Sequence, residues 1–186
     1  MDSKKRLIIG AAIGFLLVAG LGWGEAKEIR FTGKFAGTSL HSRIDRNDDG
    51  LPANWSTGVT TGTLGKRLFQ ALYESVPTGP TTECPGGVFV IDAQNGQGFG
   101  TFTETFPNGD QYYARVLTFT SCSDSAGGYT GSTTISIVGG TGKFAGASGN
   151  VENSFVGFFQ TGDANAVPRQ AFGPFSGEFT GMLILP

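Results

Sequence analysis

Three side chains near the middle of the chain carry groups suited to acid–base work: Glu104, Tyr113 and Arg115. A carboxylate or a phenol moves a proton, and a buried guanidinium steadies an anion or an enolate. Whether they meet depends on one hairpin. With Asn108-Gly109 as a two-residue type I′ turn, Glu104 faces Tyr113, Phe102 faces Arg115 and Phe106 faces Gln111. That face continues through Leu117 and Phe119, and its aromatic content makes it the inward one. Such groups also serve as structural ion pairs, and the residues alone leave both roles open.

A second cluster suits a hard cation. Asp45, Asn47 and Asp49 alternate, Gly50 follows, and the carbonyl of Leu51 comes next. Oxygen ligands at alternate positions before a turn-forming glycine make up the first half of a calcium loop. The second half departs from the pattern: Ala53 and Ser56 stand at the ninth and twelfth positions, where further ligands belong. An Asx-rich surface turn is the competing reading. Ca2+ is the one ion the sequence suggests, and no organic cofactor is expected.

Other chemistries have little support. His41 is the sole histidine, so a multi-histidine zinc site lacks its second imidazole, and a Ser-His-Asp triad has little support; it is expected on a strand surface. Cys84 and Cys122 form no Cys-x-x-Cys pair. They are expected to join in a disulfide closing a 38-residue interval, worth about 4 kcal/mol in the chain-entropy model. A plain meander of strands 87–92, 98–106 and 111–120 would set them at opposite ends, so their pairing requires the flanking loops to fold back.

The elements that must position these groups are strands. Short runs rich in Phe, Val, Ile, Thr and Tyr are separated by Gly, Asn, Asp and Pro clusters, and no long helical period appears after residue 26. Strands are expected near 28–36, 38–44, 57–63, 67–75, 87–92, 98–106, 111–120, 131–138, 150–159 and 174–185. Some of these merge, so the expectation is eight to ten strands in an all-β fold, a small closed antiparallel barrel of about eight strands that leaves no exposed edge. The final strand, ending in Met182-Leu183-Ile184-Leu185, is expected to complete it.

The densest glycine stretch is Val138-Gly139-Gly140-Thr141-Gly142-Lys143-Phe144-Ala145-Gly146-Ala147-Ser148-Gly149. A phosphate loop needs Ser or Thr after Gly-Lys, and Phe144 stands there instead. Gly139, Gly140, Gly142 and Gly146 are therefore read as a structural turn, with Phe144 plugging a barrel end. Thr32–Ser39 repeats Thr141–Ser148 at seven of eight positions, 109 residues earlier, suggesting equivalent barrel corners or chance. The Gly-Gly-Thr-Gly-x-Phe-x-Gly wording resembles the glycine-rich signature of the allene oxide cyclase barrel and dirigent families. The resemblance implies an eight-stranded, calycin-like antiparallel barrel, in some members a cavity that guides cyclisation or coupling. It matches no catalytic residue here, so activity does not follow from it.

The chain opens with Lys4-Lys5-Arg6 and an apolar run from Leu7 to Trp23, followed by Gly24-Glu25-Ala26. This is the pattern of a secretory signal peptide over 1–26, with an uncleaved anchor through residues 7–23 as the alternative. The remaining 27–186 make a single domain, exported to the periplasm or outside the cell, or held at a membrane by the N-terminus. Removing 1–26 leaves ten basic against thirteen acidic residues, a net charge of −3 that argues against nucleic acid as a partner. Asn54-Trp55-Ser56 is a glycosylation sequon, of consequence only in a eukaryotic secretory route. Three functions remain open: a barrel that binds a small apolar ligand or acts structurally, a cyclase or isomerase with a shaped cavity, and a calcium-stabilised contact module.

Overall fold

The computed structural model describes residues 25–41, 45, 50–51, 53–161 and 171–186. Of the expected signal segment over 1–26, residues 1–24 lie outside the described residues. Eleven strands are present among those described: β1 (Lys27–His41), β2 (Asn54–Gly62), β3 (Arg67–Glu74), β4 (Val76–Gly79), β5 (Gly87–Asp92), β6 (Phe99–Thr105), β7 (Gln111–Ser123), β8 (Gly128–Gly140), β9 (Ser148–Phe158), β10 (Gln160–Thr161) and β11 (Ala171–Leu185). All the pairings are antiparallel. The sheet runs β7-β6-β3-β2-β1-β11-β9-β8 and closes where β8 returns to β7, an eight-stranded barrel. The two strands expected at 28–36 and 38–44 are the single strand β1.

Three strands remain: β10 pairs with the start of β11, and β4 and β5 fit the same eight positions. β5 pairs with Thr118–Ser123 of β7 and β6 pairs with Gln111–Arg115, both on the same edge. The chain thus runs along one strand position twice, with an excursion at 93–98 between the two halves. β4 likewise prolongs β3 and pairs with β5. A plain meander is therefore incorrect. Because β5 lies directly on β7, Val88 faces Cys122, and Cys84 lies just ahead on the same side. Cys84 and Cys122 are bonded, with Cα atoms 5.2 Å apart.

The β6–β7 hairpin differs from the two-residue turn by one residue. Gly109 N–H donates to the Phe106 carbonyl at 2.9 Å, and Phe106 N–H donates to the Asp110 carbonyl at 2.9 Å. Pro107 takes the first corner of a four-residue turn, and Gly109, at φ 87°, closes it as a bulge. Glu104 now faces Tyr112, and Thr101 faces Arg115. Since side chains alternate, this shift turns Tyr113 and Arg115 to solvent and Tyr112, Ala114 and Val116 inward. A bulge at Leu117 restores the other parity, so Val116 and Phe119 both point into the barrel.

The interior is built from rings set over glycines. Inward positions of β1 read Phe31, Gly33, Phe35 and Gly37; their partners on β11 are Gly181, Phe179, Gly177 and Phe175. Each ring lies opposite a residue with no side chain. A Cβ at Gly181 would come within 2.8 Å of the Phe31 ring, and one at Gly33 within 2.8 Å of the Phe179 ring. The pattern continues in Phe155 over Gly131 and Tyr129 over Gly157.

Packing is solid at one end. Phe31, Phe106, Tyr112, Ile137, Phe144 and Leu183 are all buried there. Thr141–Ser148 forms a short 3-10 turn (Gly142–Phe144) that seats Phe144 against Phe106, with ring centroids 4.4 Å apart. Gly142, at φ 54°, passes so close to Asp110 that any Cβ would collide with its carboxylate. The related words at Thr32–Ser39 lie in the middle of β1, so the two copies are not equivalent corners.

Adding a methyl group where a ring lies over glycine should cost stability. Gly177→Ala, whose Cβ would strike the Phe35 ring, is expected to lose about 1–3 kcal/mol in urea unfolding. Ser176→Ala, on the outward face next to it, should stay within about 0.5 kcal/mol.

Candidate functional site

Moving inward from the plugged end, the first polar group is a buried ion pair. Arg67 opens β3 with its side chain inside the barrel, and its Nε donates to Glu104 on β6. Neither side chain has more than 3% of its surface exposed. Arg67 Nη1 donates to the Gly65 carbonyl at 3.0 Å. The guanidinium carbon sits 5.5 Å from the Phe106 ring centre and 5.6 Å from that of Phe179. Two aromatic faces thus share the cation with the carboxylate. Arg67 Nη2 is buried with no hydrogen-bond partner.

Tyr112 completes this group from β7. Burial, then the charge of Glu104 and hydrogen bonding to it, push the phenol well above its ordinary value, and Arg67 offsets part of this. The inward trio is therefore Arg67, Glu104 and Tyr112. Of the residues singled out in the sequence, Glu104 is in place. Tyr113 and Arg115 are corrected to the outer face, where the Tyr113 hydroxyl donates to Gln111 Oε1 at 3.1 Å.

Beyond the ion pair the barrel opens into a cavity of about 110 Å3. Phe35, Phe69, Phe102, Phe119, Phe155 and Phe175 form its walls. Glu104 and Tyr112 lie at one end, and Ser39, Ser56 and Tyr73 at the other. Phe69, which faces Glu104, and Tyr73 are four residues apart on β3, about 13 Å along a strand. Phe35, Phe102, Phe119, Phe155 and Phe175 remain only partly buried, in contrast with the solid end.

The far end is a group of hydroxyls. Ser39 Oγ lies 3.0 Å from the Tyr73 hydroxyl, and Ser56, paired with Ser39 across the strands, lies beside the same phenol. Burial raises the Tyr73 pKa, and the two serine contacts oppose that rise. Tyr129 is raised too, by burial and then by the nearby Tyr73. His41 does not stand on an open strand surface: it is half-buried, 4.6 Å from the Phe159 ring centre and 6.5 Å from that of Tyr73. Burial lowers its pKa from 6.5 to about 4.

Of the acidic loop, Asn47 and Asp49 lie outside the described residues. Asp45 accepts a hydrogen bond from Gly50 N–H at 2.8 Å, the closure of a turn. Among the described residues no three His, Cys, Asp or Glu side chains converge as a metal site.

Comparison of the chain with protein-family models, with curated proteins and with solved structures returns no match. Its own geometry therefore carries the functional argument.

Two outcomes follow from these groups. Arg67→Ala leaves Glu104 buried without its partner and should lower unfolding stability by about 3–5 kcal/mol. The double replacement Arg67→Met with Glu104→Leu should cost less than the single one, as read by urea denaturation. For His41, the unfolded imidazole takes up a proton near 6.5 and the folded one near 4. Stability is then independent of this group above pH 6.5 and falls as pH drops from 6.5 toward 4. His41→Phe should flatten that part of the pH profile of the urea midpoint.

Proposed function

We infer that this barrel binds a small, neutral, largely apolar molecule in its interior, and that it works in an oxidising, exported setting. The observation that carries the reading is the aromatic cavity of about 110 Å3 between two polar ends. Its size suits a single ring, since an engineered apolar cavity of about 150 Å3 takes up benzene. Its charge points to a neutral guest: among the described residues Glu104 is the sole carboxylate on its wall, and Arg67 already balances it. The Cys84–Cys122 bond is compatible with export, and the basic and apolar opening of the chain supports the same route. The likeness of Gly139–Gly149 to the allene oxide cyclase barrel turn is in keeping with a barrel whose interior is the working surface.

Binding is favoured over turnover for a physical reason. A general acid or base works best with its pKa near the operating pH. Tyr112 is held well above that range, and Glu104 is tied to Arg67. A cyclase or isomerase remains the second reading because Glu104 and Tyr112 face the same cavity.

Toluene titrated against the exported domain, followed by the NMR shifts of the interior aromatic rings, tests the binding reading. Saturable binding is expected, weakened about tenfold or more by Ala71→Leu, which fills part of the cavity. No saturable shift up to the solubility of toluene, or unchanged affinity in Ala71→Leu, would refute it.

A further inference from the structure

We propose that Ser39, Ser56 and Tyr73 form a polar subsite that takes a carbonyl-type acceptor oxygen of the bound molecule, so that the guest is a small cyclic ketone or a similar neutral acceptor. This rests on the binding reading above and specifies which end of the guest is polar.

The case is an inventory of protons. Ser39 on β1 and Ser56 on β2 are directly paired across the two strands, and Tyr73 reaches both from β3. Only 2% of Ser39 and 6% of Ser56 is exposed, so bulk water does not supply partners to the two serines, and Tyr73 is half-buried beside them. Each hydroxyl brings one proton and two acceptor positions. Contacts within the trio, Ser39 to Tyr73 and Ser56 beside the same phenol, use at most two of the three protons. At least one O–H is left over. All three side chains line the cavity, and most of the wall next to them is phenyl ring, which accepts only weakly. Tyr129 adds a further hydroxyl with its own proton. Asn54 Oδ1, on the residue across from Tyr73, makes no hydrogen bond and so does not take the remaining proton. An unmet buried donor is costly, so an acceptor arriving there gains what an apolar guest cannot.

The other pole does not compete for that oxygen in the same way. Glu104 is an acceptor when ionised, it already accepts the Arg67 Nε–H, and Tyr112 lies beside it. A ketone therefore has a preferred orientation, its oxygen at the hydroxyl end and its ring among Phe69, Phe102 and Phe175.

Three probes of equal size separate the possibilities: cyclohexanone, methylenecyclohexane, which replaces the oxygen by CH2, and cyclohexanol, which adds a donor. NMR titration of each should show cyclohexanone binding about tenfold tighter than methylenecyclohexane, the worth of one hydrogen bond. Tyr73→Phe should abolish that advantage while leaving the hydrocarbon's affinity within about twofold, as uniform apolar burial is retained. Ser39→Ala is the second variant, read in the same way should Tyr73→Phe not fold. Equal binding of ketone and hydrocarbon would overturn the subsite and leave the binding reading standing. So would tighter binding of cyclohexanol than of cyclohexanone, or a ketone preference that survives both variants. Failure of all three probes to bind would overturn the binding reading itself.

Discussion

Both phenylalanines that point inward from β1 lie across from glycines of β11, and both inward phenylalanines of β11 lie across from glycines of β1. An eight-stranded barrel has an interior just wide enough to be filled by side chains. Large rings at every inward position would overfill it. Setting a ring against a bare backbone halves the number of side chains at each level and lets rings such as Phe31 and Phe179 lie along the wall. The rest depends on this exchange. It admits the aromatic lining, and it leaves a residual space between Phe35, Phe69 and Phe175 that no ring occupies. The same glycines cannot be enlarged without moving a ring or a neighbouring carbonyl, so cavity and wall are set by one pattern.

The buried Arg67–Glu104 pair divides the interior. On one side lies the solid cluster closed by Phe144; on the other lies the cavity. Ions taken out of water are expensive, and the pair recovers part of that cost through its own attraction, the Gly65 carbonyl and two aromatic faces. Its effect on chemistry is to fix charges rather than to free them. Glu104 is held by a partner, and Tyr112 is kept protonated by the field of that carboxylate and by burial. Uncharged polar groups, the hydroxyls at the far end among them, are what the wall leaves to meet a guest.

Much of the architecture was legible because alternation in a strand is a strong signal. Phe102-Thr103-Glu104-Thr105-Phe106 shows its inward face without any knowledge of its partner. The opposite strand was not legible from Asn108-Gly109 alone. Pro107 at the first corner and Gly109 at the last describe the longer turn, and one residue of difference exchanged Tyr113 and Arg115 for Tyr112 and Ala114. Arg67 was overlooked although it shares the parity of Phe69, Ala71 and Tyr73. That parity is the signal, and a strand-opening arginine beside Lys66 reads equally well as a solvated end. The Ser39–Ser56–Tyr73 group carries no local signal at all. It exists only through the register of three strands. The same is true of Cys84 and Cys122, brought together because β5 and β6 share one edge of β7.

Closure of the barrel joins its first strand to its last. Lys27 is paired with Leu185 at one end of the β1–β11 ladder and His41 with Ala171 at the other. No shorter piece of the chain can complete the ring. Until Ala171–Leu185 is available, β1 has one bare edge and β9 another, and Phe31 and Phe35 lack the glycines they cover. Contacts of such long range make folding slow and late. Under the export proposed above, with the chain crossing a membrane as an extended thread, that delay would be useful. The barrel cannot close before its tail arrives, so β1 would wait in an unfinished state for β11.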